Sequence, residues 1–285
     1  MVVDVMLAGT GGIGLAVRHW NPEGTGVPVL AVHGLASNAR LWDGTAAALA
    51  ELGHPVAAVD LRGHGRSAKP DDGYDFGTVT ADLVALQQAL GWRPGSDRHP
   101  LVVGQSWGAN VVLELAVRHP DAARSIALVD GGTIELSSHF PRWEDAEAAL
   151  APPVLEGMAA ADFEAAVRRM HPDWPESGIA GTLANVEVRA EGTIRPWLTR
   201  ARHLTILRHL WEHRPSEHYA LVQVPVVLVP AGQGGDADAD KRASIARAET
   251  ALARVCTQWF VPADHDIHAQ FPDALADLLD EAAGA

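Results

Sequence analysis

A serine set between two glycines constrains this chain more than any other feature. Leu101-Val102-Val103 is a short apolar, β-branched run, and it leads directly into Gly104-Gln105-Ser106-Trp107-Gly108. Val111 to His119 then follow with helical spacing and are halted by Pro120. A strand that turns into a helix through one serine needs small residues on either side, because the two elements cross closely. The turn is strained and holds the hydroxyl outward. Trp107 opens the helix, so its backbone N–H has no partner within the helix and can face an anion. Gly-x-Ser-x-Gly alone occurs in many loops; the strand before it and the helix after it give it meaning.

Around this stretch, strands and helices alternate. A hairpin is expected from residues 2–8 and 13–20, then a buried strand over Val27–Val32 ending in His33-Gly34-Leu35-Ala36. A helix around 42–52 leads to a strand over Pro55–Asp60, which runs into Leu61-Arg62-Gly63-His64-Gly65-Arg66-Ser67. A helix near 78–90 precedes the serine strand, and Ser125–Asp130 forms another strand closed by Gly131-Gly132. Between about 133 and 222 the pattern becomes helical, interrupted by prolines and carrying Trp143, Trp174, Trp197 and Trp211, with no strand run. Alternation returns with Pro225–Val229, a helix around 240–253, Thr257–Val261 and a last helix over 272–282. The expected fold is α/β, a mostly parallel eight-stranded sheet with helices on both faces and an inserted helical cap. Residues 1–132 and 223–285 would form the core and 133–222 the cap. His33, Asp60, Ser106, Asp130 and the loop after Val229 all fall at the carboxyl ends of strands, where such sheets gather their active groups.

Other classes are disfavoured. The turn spells Gly9-x-Gly11-x-x-Gly14, but the continuation Leu15–Trp20 reads as a strand, whereas a dinucleotide site needs a helix there. Lys+Arg 22 against Asp+Glu 36 leaves a charge of −14, which disfavours nucleic acid and anionic membranes as partners. The single cysteine, Cys256, allows no intrachain disulfide and is expected to pack. Residues 1–9 carry no basic flank before a long apolar run, and no later stretch is long enough to span a bilayer, so a cytoplasmic location is expected. His64, His203, His209 and His213 are conceivable metal ligands; His209 and His213 share i, i+4 spacing, but Glu212 lies at the wrong offset for a His-Glu-x-x-His site, and a helix surface explains them better. Neither metal nor cofactor is expected.

Four motifs together resemble the α/β-hydrolase superfamily, in its form with a serine nucleophile and a helical cap. They are His33-Gly34, Asp60-x-Arg62-Gly63-His64-Gly65-x-Ser67, Gly104-Gln105-Ser106-Trp107-Gly108, and His265-Asp266-Ile267-His268 shortly before Pro272. The resemblance runs the length of the chain and is least specific in the cap. It implies Ser106 as nucleophile and His265 as its base, with His268 the rival three residues on. It implies oxyanion donors at the amides of Leu35 and Trp107. The Asp60–Gly65 stretch would be scaffolding, Asp60 and Arg62 pairing to brace the loop. The acid that orients the base is open between two places. Asp130 ends a rigid strand and is preferred; Asp236 lies in the glycine-rich loop Gly232–Asp238, one residue late for the usual family spacing. His33, Trp143, Trp197 and Trp211 are candidate substrate contacts, although the cap tryptophans could equally form the cap's own core.

The implied activity is hydrolysis of an ester, lactone or thioester of a mainly apolar small molecule. Relatives that open epoxides or remove halide carry aspartate in the elbow, so serine argues against those reactions. The same constellation can serve carbon–carbon cleavage, lyase or cyclisation chemistry, or persist in a binding protein with little turnover. Substrate identity and oligomeric state are not readable from the sequence.

Overall fold

In the computed structural model, which describes residues 2–284, eight strands form one sheet in the order β1-β2-β4-β3-β5-β6-β9-β10. Strands β1 (Val2–Ala8) and β2 (Gly14–Trp20) make an antiparallel hairpin, joined by a 3-10 turn at Thr10–Gly12. No helix follows Gly14, so the Gly9–Gly14 spacing belongs to a hairpin turn. The next strands are β3 (Val29–Val32), β4 (Val56–Val59), β5 (Leu101–Gln105) and β6 (Ser125–Val129), which run parallel to one another. Every residue in these four is buried, the composition a parallel sheet needs when both faces are covered.

Helix α1 (Asp43–Glu51) packs on one face, and α2 (Phe76–Ala89) and α3 (Trp107–Arg118) on the other. Beyond β6 come four helices, α4 (Leu136–His139), α5 (Trp143–Leu150), α6 (Ala160–Met170) and α7 (Glu176–Leu183). A small antiparallel pair follows, β7 (Val186–Val188) and β8 (Ile194–Pro196), then α8 (Arg200–Glu212). This pair corrects the expectation of an all-helical segment. Its strands are three residues each, in a stretch dense with Glu187, Arg189, Glu191 and Arg195, so no apolar alternation marked them. The sheet then resumes with β9 (Val226–Val229), α9 (Ala239–Ala251), β10 (Val255–Thr257), α10 (Ile267–Gln270) and α11 (Pro272–Gly284). Helix α9 adds Ile245 and Ala248 to the core beneath α2 and α3, whereas α11 joins α1 through Leu275 and Leu279. Cys256 lies on the outermost strand and is exposed, not packed. Among the described residues, no helix is long and apolar enough to cross a membrane.

The topology sets the site. From β3 the chain moves to one side to make β4 and returns on the other to make β5, so the strand order reverses there. Register then aligns the strand ends. Val32 pairs with Gly104, Gln105 with Val129, and Val129 with Val229. The residues just beyond, His33-Gly34, Ser106, Asp130 and Pro230-Ala231, therefore form one row at the crevice.

Candidate active site

Ser106 caps α3 at φ 54°, ψ −125°, in the left-handed region that a side chain rarely adopts. The strain is held by packing that only glycine permits. A Cβ on Gly104 would lie 2.3 Å from the Gly108 carbonyl oxygen, and one on Gly108 2.4 Å from that of His33. Strand, elbow and helix thus touch backbone to backbone. Ser106 donates its amide to the Val129 carbonyl at 2.9 Å and makes no side-chain cap bond to its own helix.

The loop after β3 presses against this elbow. A Cβ on Gly34 would stand 2.4 Å from Gln105 Oε1 and 3.1 Å from Ser106 Cβ. Among the described residues, neither the Leu35 nor the Trp107 amide donates a hydrogen bond, so two N–H groups beside the serine stay available. Two histidines fix this loop. His33 is fully buried; its Nε2 accepts the Leu61 amide at 3.0 Å, so Nδ1 carries the proton and donates to the Gly34 carbonyl at 2.7 Å. With both nitrogens taken by backbone and no exposed surface, His33 shapes the loop and is not placed to touch a substrate. His64 stacks on Trp107 with centroids 5.6 Å apart and accepts the Ala36 amide at 3.3 Å. Burial, chiefly, holds both histidines below the ordinary value and hence neutral.

The anticipated Asp60–Arg62 pair is corrected. Arg62 forms a buried fork with Asp82 of α2 at 2.6 and 2.9 Å, while Asp60 accepts the amides of Ala39 and Arg66 at 2.8 and 2.7 Å. Both still brace the loop, through separate partners.

His265 lies on the loop between β10 and α10. Its Nδ1 is 2.6 Å from Asp130 Oδ2, and half of its side-chain surface is exposed. Among the described residues, His265 is paired with Asp130, and no hydrogen bond or ion pair joins it to Asp236. The glycine-rich loop instead folds on Asp238, which accepts the amides of Gln233 and Gly234 at 3.0 and 2.8 Å. Burial would raise the Asp130 carboxyl, but hydrogen bonds from His265 and Lys241 override it and hold the group below the ordinary value. Desolvation works against the His265 imidazolium, yet the hydrogen bond and charge of Asp130 outweigh it and raise that group. Side-chain amides steady the loop. Gln105, next to Ser106, donates to the His265 carbonyl at 3.2 Å, and Gln270 accepts the Asp264 amide at 2.7 Å. From the cap segment, Trp174 Nε1 donates to Asp264 at 3.0 Å. His268 is fully buried with its ring 4.3 Å from that of Trp42; neither nitrogen has a partner, and burial brings it down to about 3.

The tryptophans separate into two environments. Trp143 and Trp211 meet edge to face at 6.1 Å with the Arg208 guanidinium over both, and Trp211 Nε1 donates to the Phe140 carbonyl. Trp197 carries Lys69 above its ring and lines a cavity of about 550 Å³ between β2, the loop at Gly65-Arg66 and β7. That cavity includes neither Ser106 nor His265.

A second polar cluster escaped the sequence reading. Glu114 of α3 accepts from His213 Nε2 at 3.0 Å on one oxygen and from Arg118 Nε on the other, with the His218 ring set against the first oxygen without a hydrogen bond to it. His213 therefore points into the protein, not outward from a helix surface, and it joins a glutamate 99 residues away. Its tautomer follows from Asn110. Asn110 Oδ1 accepts the Gly132 amide at 2.9 Å, so Nδ2 is the donor that reaches Ile134 O and His213 Nδ1, at 2.9 and 3.0 Å. Nδ1 is then the acceptor, and Nε2 carries the proton given to Glu114. The His213 nitrogen that faces the carboxylate therefore has no lone pair for a metal ion, and His213 and Glu114 act as a clasp.

Residues 27–169 match the family model described as alpha/beta hydrolase fold. Epoxide hydrolase A of Mycobacterium tuberculosis is 37% identical over 123 residues, covering 42% of this chain and 36% of that protein. The 2-(acetamidomethylene)succinate hydrolase of Mesorhizobium japonicum is 31% identical over 118 residues, 41% of this chain and 40% of that protein. The matched region thus spans about two fifths of each relative. A solved structure of an E-2-(acetamidomethylene)succinate hydrolase superposes over 100% of both chains with a TM-score of 0.80 at 23% identity.

Proposed function

The chain belongs to the alpha/beta hydrolase fold family, and from that premise we propose that it is a serine hydrolase cleaving an ester, lactone or thioester of a mainly apolar small molecule. The observation that carries this reading is the strained Ser106 elbow one strand away from a His265–Asp130 pair joined at 2.6 Å. A serine hydroxyl is a weak nucleophile until a base takes its proton as it attacks. His265 is that base; Asp130 holds Nδ1–H and so leaves the Nε2 lone pair for the serine proton. The Leu35 and Trp107 amides stabilise the oxyanion as the carbonyl becomes tetrahedral. Protonated His265 then gives its proton to the leaving alcohol or thiol, and water, activated by the same nitrogen, hydrolyses the acyl-serine.

Elbow chemistry also selects among the activities of relatives. A serine that opened an epoxide would be left as an ether, which water does not cleave at this site, whereas acyl transfer leaves an ester. The reading follows acyl transfer despite the likeness to an epoxide hydrolase. Two measurements test it. A fluorophosphonate probe should label Ser106, located by peptide mass spectrometry, and short p-nitrophenyl esters, lactones and acyl thioesters should turn over. Labelling with turnover only on β-diketones would move the protein to carbon–carbon cleavage. No label and no turnover would leave a binding protein.

A further inference from the structure

Helix α9, which follows the glycine-rich loop, delivers a cation to Asp130. Lys241, in the first turn of α9, places Nζ 2.8 and 3.1 Å from the two Asp130 carboxylate oxygens and 2.8 Å from the Ala231 carbonyl. The Ala231 amide donates to Asp130 Oδ1 at 2.9 Å. Asp130 is nearly inaccessible and sits at φ 41°, so its carboxylate is held by Lys241 and Ala231 on one side and His265 on the other. We infer that Lys241 is a positioning residue for the proposed triad, locking the Asp130 carboxylate toward His265 and offsetting the charge with which that carboxylate retains the His265 proton. The inference rests on the reading of Asp130 as the orienting acid.

The chemistry follows from shared charge. A base must be neutral to accept the Ser106 proton, and an aspartate beside it favours the protonated form. Around His265 the carboxylates of Asp130 and Asp266 favour the imidazolium and Lys241 opposes it. His268, buried behind, is held neutral, and Asp264 is turned to Trp174 Nε1 at 3.0 Å and His171 at 3.8 Å. Lys241 is therefore the ammonium that directly contacts the acid. A lysine in a helix's first turn also runs against the macrodipole, so it needs an anion nearby to be favourable there.

The test compares Lys241→Met, which keeps length and removes charge, with Lys241→Arg, which keeps charge. In a Ser106→Ala background, the His265 imidazole is titrated by NMR; with Ser106 intact, the acidic limb of kcat/KM is followed on a p-nitrophenyl ester. Lys241→Met should move both upward by about one pH unit, the size expected of one charge a few ångström away in a partly solvated site. Activity on the acidic limb would fall up to about tenfold while the plateau at high pH recovers. Lys241→Arg should return both most of the way. An unmoved titration together with an unmoved acidic limb would reduce Lys241 to a brace of the sheet edge and overturn the inference. A shifted titration in a protein that turns over no ester, lactone or thioester would sink the hydrolase reading while the coupling of Lys241 through Asp130 to His265 stands.

Discussion

Ser106→Ala and His265→Ala should each lower kcat on a p-nitrophenyl ester by roughly 10⁶-fold, Asp130→Asn by about 10⁴-fold, and Asp236→Asn by no more than about twofold. The first two remove the attacking oxygen and its base, which act as one unit, so their losses should not add. Asp130→Asn keeps the volume and reverses the hydrogen bond. An amide NH₂ toward His265 Nδ1 needs a lone pair there, which forces the proton onto Nε2, where the lone pair for Ser106 should be. The same change breaks the ion pair with Lys241, so the carboxamide is also poorly held. Asp236 lies in a loop whose backbone is already satisfied by Asp238, and nothing links it to the base. Steady-state rates of the four proteins prepared together decide the matter. A loss with Asp236→Asn and survival of Asp130→Asn would show that the loop moves to supply the acid in solution, contrary to the geometry described.

What could be read from the chain divides by how local its cause is. The elbow was legible because strand, serine, glycines and helix are contiguous, and backbone sterics over five residues dictate the turn. The buried strands were legible for the same reason, since each is a short apolar run, whereas the edge strand forms at Val255–Thr257 and not over the expected Thr257–Val261. Pairings across the fold were not. Arg62 turns to Asp82, not Asp60, because α2 offers a buried carboxylate in fork geometry and Asp60 is occupied by two amides. His213 turns inward because Glu114, far away in sequence, lies behind it. His265 and His268 have the same local character, and only tertiary placement separates one beside Asp130 from the other sealed against Trp42. Lys241 carried a faint local signal, a cation in a helix's first turn, whose meaning required knowing that Asp130 faces it.

The Glu114 clasp gives the largest expected effect on stability. Helix α3 carries Ser106 at its start and Glu114 two turns later, and Glu114 holds His213 just beyond α8, with the His218 ring alongside. Asn110, on the same helix, holds Gly132 and Ile134 at the entry to the cap segment. One helix thus fastens both ends of the segment 133–222. Burial alone would raise the Glu114 carboxyl, but the hydrogen bonds from His213 and Arg118 override it and bring it down to about 2 from an ordinary 4.5. A carboxylate depressed in the folded state contributes stability that is fully present above its unfolded pKa and lost as pH falls toward the folded one. Glu114→Ala at pH 7 should therefore cost about 3 kcal/mol, because it leaves the buried His213 Nε2–H without its acceptor beside a void. For a chain of 285 residues that lowers Tm by roughly 5 °C. Glu114→Gln keeps an acceptor for His213 and should lose less. Calorimetry of wild type and Glu114→Ala at stepped pH reads the sign directly: the gap in Tm should narrow once the pH drops below about 4.5. A gap that stays constant down to pH 3.5 would mean that packing around the side chain, not its charge, fastens the cap segment to the nucleophile helix.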